Sequence, residues 1–122
     1  MSKIKEVPEF VPDQQSDQRI KNVIDHLNTN FNHKIRLEDL AAVALLSPYH
    51  LLRVFKKCVG LTPREYLLRL RIEKTKQLLA QGYHLPEIVG MTGFSDRNHL
   101  IRSFRKVMGQ SPAMFLQRMA DQ

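Results

Sequence analysis

Arginine and lysine keep their charge at any physiological pH, and a guanidinium can bond guanine in a forked, two-point geometry. In this chain such side chains recur at a fixed spacing. His50, Arg53 and Lys57 come back as His99, Arg102 and Lys106, each 49 residues later. Ser47, Tyr49 and Lys56 stand around the first set, and Arg97, Asn98 and Arg105 around the second. Asparagine pairs with adenine, arginine with guanine, and lysine or arginine neutralises phosphate. The inventory suits reading of base edges in double-stranded DNA.

Catalysis is not indicated. No serine or cysteine has a base and an orienting partner at recognisable spacing, no glycine-rich phosphate loop follows a strand, and no carboxylate pair stands in an apolar context. The five histidines lack HExxH spacing, and the one cysteine excludes a Cys-rich zinc site and any internal disulfide. The expectation is no enzyme, no metal and no cofactor.

The bulk numbers agree with a polyanion binder. Nineteen Lys and Arg against twelve Asp and Glu leave +7 over 122 residues, with a pI near 9.9, the footprint of a nucleic-acid partner. No apolar run is long enough to span a bilayer and no signal segment opens the chain, so the expected location is the cytoplasm, with no membrane partner. RNA is disfavoured because the A-form major groove does not admit a helix and no aromatic stacking platform is evident.

The elements that must carry these residues are legible from caps and glycines. Ser47-Pro48, Thr62-Pro63 and Ser111-Pro112 open helices, while Gly60, Gly82 and Gly109 fall where helices stop. Thr62 with Glu65 makes a capping-box pattern. Ile20, Val23, Ile24, Leu27 and Phe31 give the first amphipathic stripe. The spacing predicts an all-α fold of seven helices, over 17–31, 37–44, 48–59, 63–81, 86–92, 96–108 and 112–120. Residues 1–15 read as a flexible tail or linker stub. Leu51, Val54, Phe55 and Cys58 fall on one arc of the third helix, so Cys58 reads as a small buried hydrophobe.

The chain is internally duplicated. Residues 47–70 and 96–119 match at nine positions: His50/His99, Leu51/Leu100, Arg53/Arg102, Phe55/Phe104, Lys57/Lys106, Gly60/Gly109, Pro63/Pro112, Leu67/Leu116 and Arg69/Arg118. Upstream the offset becomes 48, pairing Leu37, Leu40, Ala41 and Leu46 with Leu85, Ile88, Val89 and Phe94. Each copy is a short helix, a tight turn and a second helix, the helix-turn-helix arrangement. The expected division is two helix-turn-helix subdomains, 16–62 and 83–122, joined by a linker helix over 63–82.

The strings LEDLA at 37, LSPYHLLRVFKKCVG at 46, RLRIEKTKQLL at 69 and GFSDRNHLIRSFRKVMGQSP at 93 resemble the DNA-binding domain of the AraC/XylS family of bacterial regulators. The resemblance implies a transcription regulator, an activator by class, that binds DNA as a monomer, places two recognition helices in adjacent major grooves and works with RNA polymerase. It gives Tyr49, Arg53, Arg97, Asn98 and Arg102 base-proximal roles. The chain departs from the family pattern at Leu45, where the first turn often has glycine, at Leu52, an edge that is often polar, and at Thr75, which replaces a common alanine. The alternative reading is a helical adaptor that binds protein partners through the same basic faces.

Overall fold

The computed structural model describes residues 17–122, so the expected tail over 1–15 lies outside the described residues. Seven helices and no strand are present there: α1 Gln18–Asn30, α2 Leu37–Ala44, α3 Pro48–Val59, α4 Pro63–Ala80, α5 Leu85–Thr92, α6 Arg97–Met108 and α7 Pro112–Ala120. Each begins within a residue of its expected position.

The caps explain that precision. An α-helix leaves its first N–H groups without partners, and a side-chain oxygen just upstream satisfies them. Ser47 accepts from the His50 N–H at 3.2 Å, and Asp96 accepts from the His99 N–H at 2.7 Å. Thr62 and Glu65 exchange both bonds of a capping box, at 2.9 and 3.1 Å. Asp39 accepts from the Arg36 N–H and Glu87 from the His84 N–H. The Ser47 and Asp96 caps are related by the 49-residue offset and the Asp39 and Glu87 caps by the 48-residue one. The Thr62 box keeps one of its two bonds in the second copy, where Ser111 accepts from the Met114 N–H. The exits match too: Gly60 and Gly109 both take the left-handed conformation, their N–H groups bonded to the Lys56 and Arg105 carbonyls.

Packing divides the described chain into two apolar clusters. The first gathers Ile20, Val23, Leu27, Leu40, Leu51, Phe55, Tyr66 and Leu70, among others, from α1 to α4. The second gathers Ile72, Leu79, Ile88, Phe94, Leu100, Phe104 and Val107 from α4 to α6, with Phe115 of α7 packed against it. Each copy contains the same edge-on aromatic pair. Phe55 meets Tyr66 at 6.0 Å between ring centres, and Phe104 meets Phe115 at 5.6 Å. Phe55 and Phe104 are fully buried, a placement at which truncation to Ala costs about 3–5 kcal/mol.

Helix α4 belongs to both clusters. Tyr66 and Leu70 serve the first, and Ile72 and Leu79 the second. This accounts for its lack of a single apolar stripe.

Cys58 corrects the helical-wheel expectation, since it is exposed. In the last turn of α3 it is Val59 that packs on the first cluster, and the helix end runs beyond the cover that buries Leu51 and Phe55.

Candidate nucleic-acid interface

Helices α3 and α6 each turn Leu51/Phe55 or Leu100/Phe104 into the core and the remaining face to solvent. Neither contains a carboxylate. Arg53, Lys56 and Lys57 give α3 three cations, and Arg97, Arg102, Arg105 and Lys106 give α6 four. All seven are exposed, as are Ser47, Tyr49, His50 and Asn98. Lys56, Lys57, Arg105 and Lys106 lie in last turns, where a cation also complements the helix dipole by about 0.3–1 kcal/mol.

Local contacts preorganise some of these groups. The Arg53 guanidinium carbon sits 5.9 Å from the centre of the Tyr49 ring, within cation–π range. Lys56 Nζ lies 3.9 Å from Glu65 Oε1, an exposed pair of little strength. Ser47 already accepts a bond from the α3 backbone. His99 is the expected site residue that stands apart. It is half-buried, its ring meets Phe94 edge-on at 5.2 Å, and its Nδ1 lies 3.1 Å from Ser95 Oγ. The second turn thus uses His99 as a brace, while His50 in the first copy stays exposed.

Between the two helices opens a groove of about 990 Å³. Leu52 of α3 and His99, Ser103 and Lys106 of α6 line it, together with Leu67, Leu68 and Arg71 of α4. Lys34 and Arg64 also border it, two cations that the helix-by-helix reading passes over because neither lies on a recognition helix.

Arg71 is the residue whose role the sequence conceals. On a wheel it is one of several cations along α4. In the structure its Nε donates to the Phe31 carbonyl at 2.8 Å and its Nη2 to the His33 carbonyl at 3.0 Å. Burial lowers its pKa. Lys74 Nζ lies 5.5 Å from the centre of the Phe31 ring. The partners are backbone carbonyls in the loop after α1, which carry no side-chain signal.

A loop glycine from the other copy closes the same junction. Gly93, left-handed at φ 87°, ends α5, and a Cβ there would fall 2.7 Å from the Phe31 carbonyl oxygen and 3.0 Å from Arg71 Nη2. Its counterpart Leu45 is also left-handed, at φ 58°, yet 87% exposed. The first turn lacks the crowding that makes glycine necessary in the second.

Among the described residues no group of three or more His, Cys, Asp or Glu is arranged to hold a metal ion, and no helix is long and apolar enough to cross a membrane.

A family model described as a helix-turn-helix domain matches residues 40–118. The chain is similar to the uncharacterized HTH-type transcriptional regulator YbfI of Bacillus subtilis, at 38% identity over 81 residues, covering 66% of this chain and 30% of that protein. The chain therefore spans about a third of the length of such relatives. Two solved structures share the architecture. One is the DNA-binding domain of AdpA, a global transcriptional factor, in complex with a target DNA (TM-score 0.79, 26% identity, 84% of this chain and 94% of that one). The other is an AraC-type transcriptional regulator from Chromobacterium violaceum (TM-score 0.78, 25% identity, 88% and 97%).

Proposed function

The chain belongs to the AraC-type helix-turn-helix family of DNA-binding transcription regulators, and from that membership we propose that it reads a specific double-stranded site as a monomer, with α3 and α6 in adjacent major grooves. The observation that carries this reading is the pairing of two equivalent, carboxylate-free cationic helices on one shared strut. Eighteen residues of α4 span about 27 Å, against a spacing of about 34 Å between successive major grooves on one DNA face.

In this reading residues 16–62 and 83–122 are the two recognition subdomains, and 63–82 is the element they share. Arg53 and Arg102 take base edges, with Tyr49, Arg97 and Asn98 beside them, and Lys56, Lys57, Arg105 and Lys106 take phosphates. Ser47, His50 and His99 support the same surfaces from the helix starts. The regulator acts in the cytoplasm as an activator, with RNA polymerase as its protein partner.

Mobility shifts with duplex DNA across a salt series test the proposal. About six to eight neutralised phosphates give a slope of log K on log salt of roughly −5 to −7. A slope shallower than about −2 rejects the two-groove footprint. Weak binding indifferent to sequence turns the reading toward a protein adaptor.

A further inference from the structure

The two recognition helices share their charge but not their apolar content. On α3, Tyr49 is 71% exposed and Leu52 37% exposed, one helical turn apart, with Arg53 on the far side of Tyr49 from Leu52. On α6 the equivalent positions are Asn98, which is polar, and Ile101, which is half-buried. A single exposed leucine needs no explanation. Here, however, it stands at the edge of the groove between α3 and α6, beside an exposed aromatic ring and next to Arg53, Lys56 and Lys57, which make the outward face a poor surface for an apolar protein partner.

The major groove offers one apolar group at base level, the 5-methyl of thymine. Resting on the two-groove reading above, we infer that the α3 subsite is thymine-bearing, with Leu52 and the Tyr49 ring packed on thymine methyls beside the base taken by Arg53. The α6 subsite, faced by Asn98, Arg102 and Arg105, is read by hydrogen bonds alone. Three residues of helix advance about 4.5 Å and one base step about 3.4 Å, so the two side chains reach thymines on neighbouring or next-neighbouring steps. Tyr49 also orients Arg53, 5.9 Å from its ring, which couples methyl contact to readout of the adjacent base.

Uracil in place of thymine removes the methyl and leaves every hydrogen-bonding group unchanged. A specific site is first selected from random duplexes with the whole chain. The α3 half is then marked by a DNA-cleaving reagent attached to Cys58, the one cysteine, exposed on that helix. Equilibrium binding is measured with uracil at each thymine in turn. The expected result is about fourfold weaker binding for each contacted methyl lost in the α3 half, and no change for uracil in the α6 half. Leu52→Ala, with its helicity verified by circular dichroism, should erase the thymine-over-uracil preference at one position and keep its affinity for random duplex. An α3 half without thymine, uracil substitution without effect there, or full discrimination retained by Leu52→Ala each overturns the inference while the two-groove reading stands. Failure to select any site overturns the reading and the inference together.

Discussion

The side chain of Arg71, midway along α4, bonds the backbone carbonyl of Phe31, forty residues earlier, at 2.8 Å. A second bond to the His33 carbonyl makes the contact forked, and the Gly93 turn from the other copy lies close against the Phe31 carbonyl and the guanidinium. One guanidinium therefore ties the strut to the loop after α1 at the place where the two recognition units meet. The Phe31 bond is part-buried and the His33 bond exposed, so the first contributes most, at about 1.5–3 kcal/mol for a charged hydrogen bond, and water can take over the second acceptor.

Arg71→Ala should accordingly lower the unfolding free energy by about 1.5–3 kcal/mol, whereas Arg69→Ala, two residues earlier on α4, should cost well under half of that. Arg71→Lys should recover little, since a single ammonium cannot reproduce the forked geometry. Denaturant midpoints decide it; equal losses at 69 and 71 would remove the bracket role.

The left-handed residues that end α2 and α5, Leu45 and Gly93, should respond to substitution in opposite directions. Leu45 holds φ 58° with its side chain in solvent, a conformation that costs an L-residue about 1–2 kcal/mol. Leu45→Gly removes that strain but loosens the unfolded chain by about 0.4–1 kcal/mol, for a net gain of about 0.5 kcal/mol. Gly93→Ala adds the same strain and drives a Cβ to 2.7 Å from a backbone oxygen, so its loss should exceed 2 kcal/mol by roughly the cost of shifting α1 or α5. Thermal melts of both variants give the signs directly.

The local code of this fold is written almost entirely in side chains near each helix end, which is why spacing alone locates it. Ser47, Thr62, Asp96 and Ser111 cap the helices they precede, and the duplicated inward residues Leu51/Leu100 and Phe55/Phe104 are all fully buried. What the sequence hides is long-range or backbone-directed. Arg71 looks like any strut cation because its acceptors are carbonyls. His99 looks like His50 because the ring that holds it, Phe94, lies in the preceding turn. Cys58 satisfies the wheel of α3, but periodicity carries no information about where a neighbouring helix stops covering it.

Arginine and lysine on the recognition helices should separate by function. Arg53→Ala or Arg102→Ala should cost about 1–3 kcal/mol on the specific site and leave random-duplex affinity nearly unchanged. Lys57→Ala should weaken both duplexes alike and flatten the salt slope by about one unit. Competition titrations on the two duplexes compare these directly. Equal losses on both for the arginine variants would shift base readout to Tyr49, Arg97 and Asn98.

The Thr62 N–H, donated to Glu65, holds that carboxyl below the ordinary glutamate range, with further help from the Thr62 side chain and Lys56. A lowered folded-state pKa stabilises above the unfolded value, about 4.3, and the contribution disappears as pH falls through the folded value. Glu65→Gln should therefore be less stable than the parent chain near neutrality, with the gap closing on acidification below about pH 4. A gap constant down to about pH 3 would assign the cap to geometry alone.

The division of α4 between two clusters also governs what happens when the protein comes apart. Tyr66 and Leu70 face one half and Ile72 and Leu79 the other, so melting either half strips an apolar face from a helix that the survivor still needs. Neither half has an independent denatured state to visit. The structured region should unfold in one cooperative step, its calorimetric and van't Hoff enthalpies equal. A fragment cut at the Gly82 turn should carry the orphaned face of α4 into solvent and self-associate.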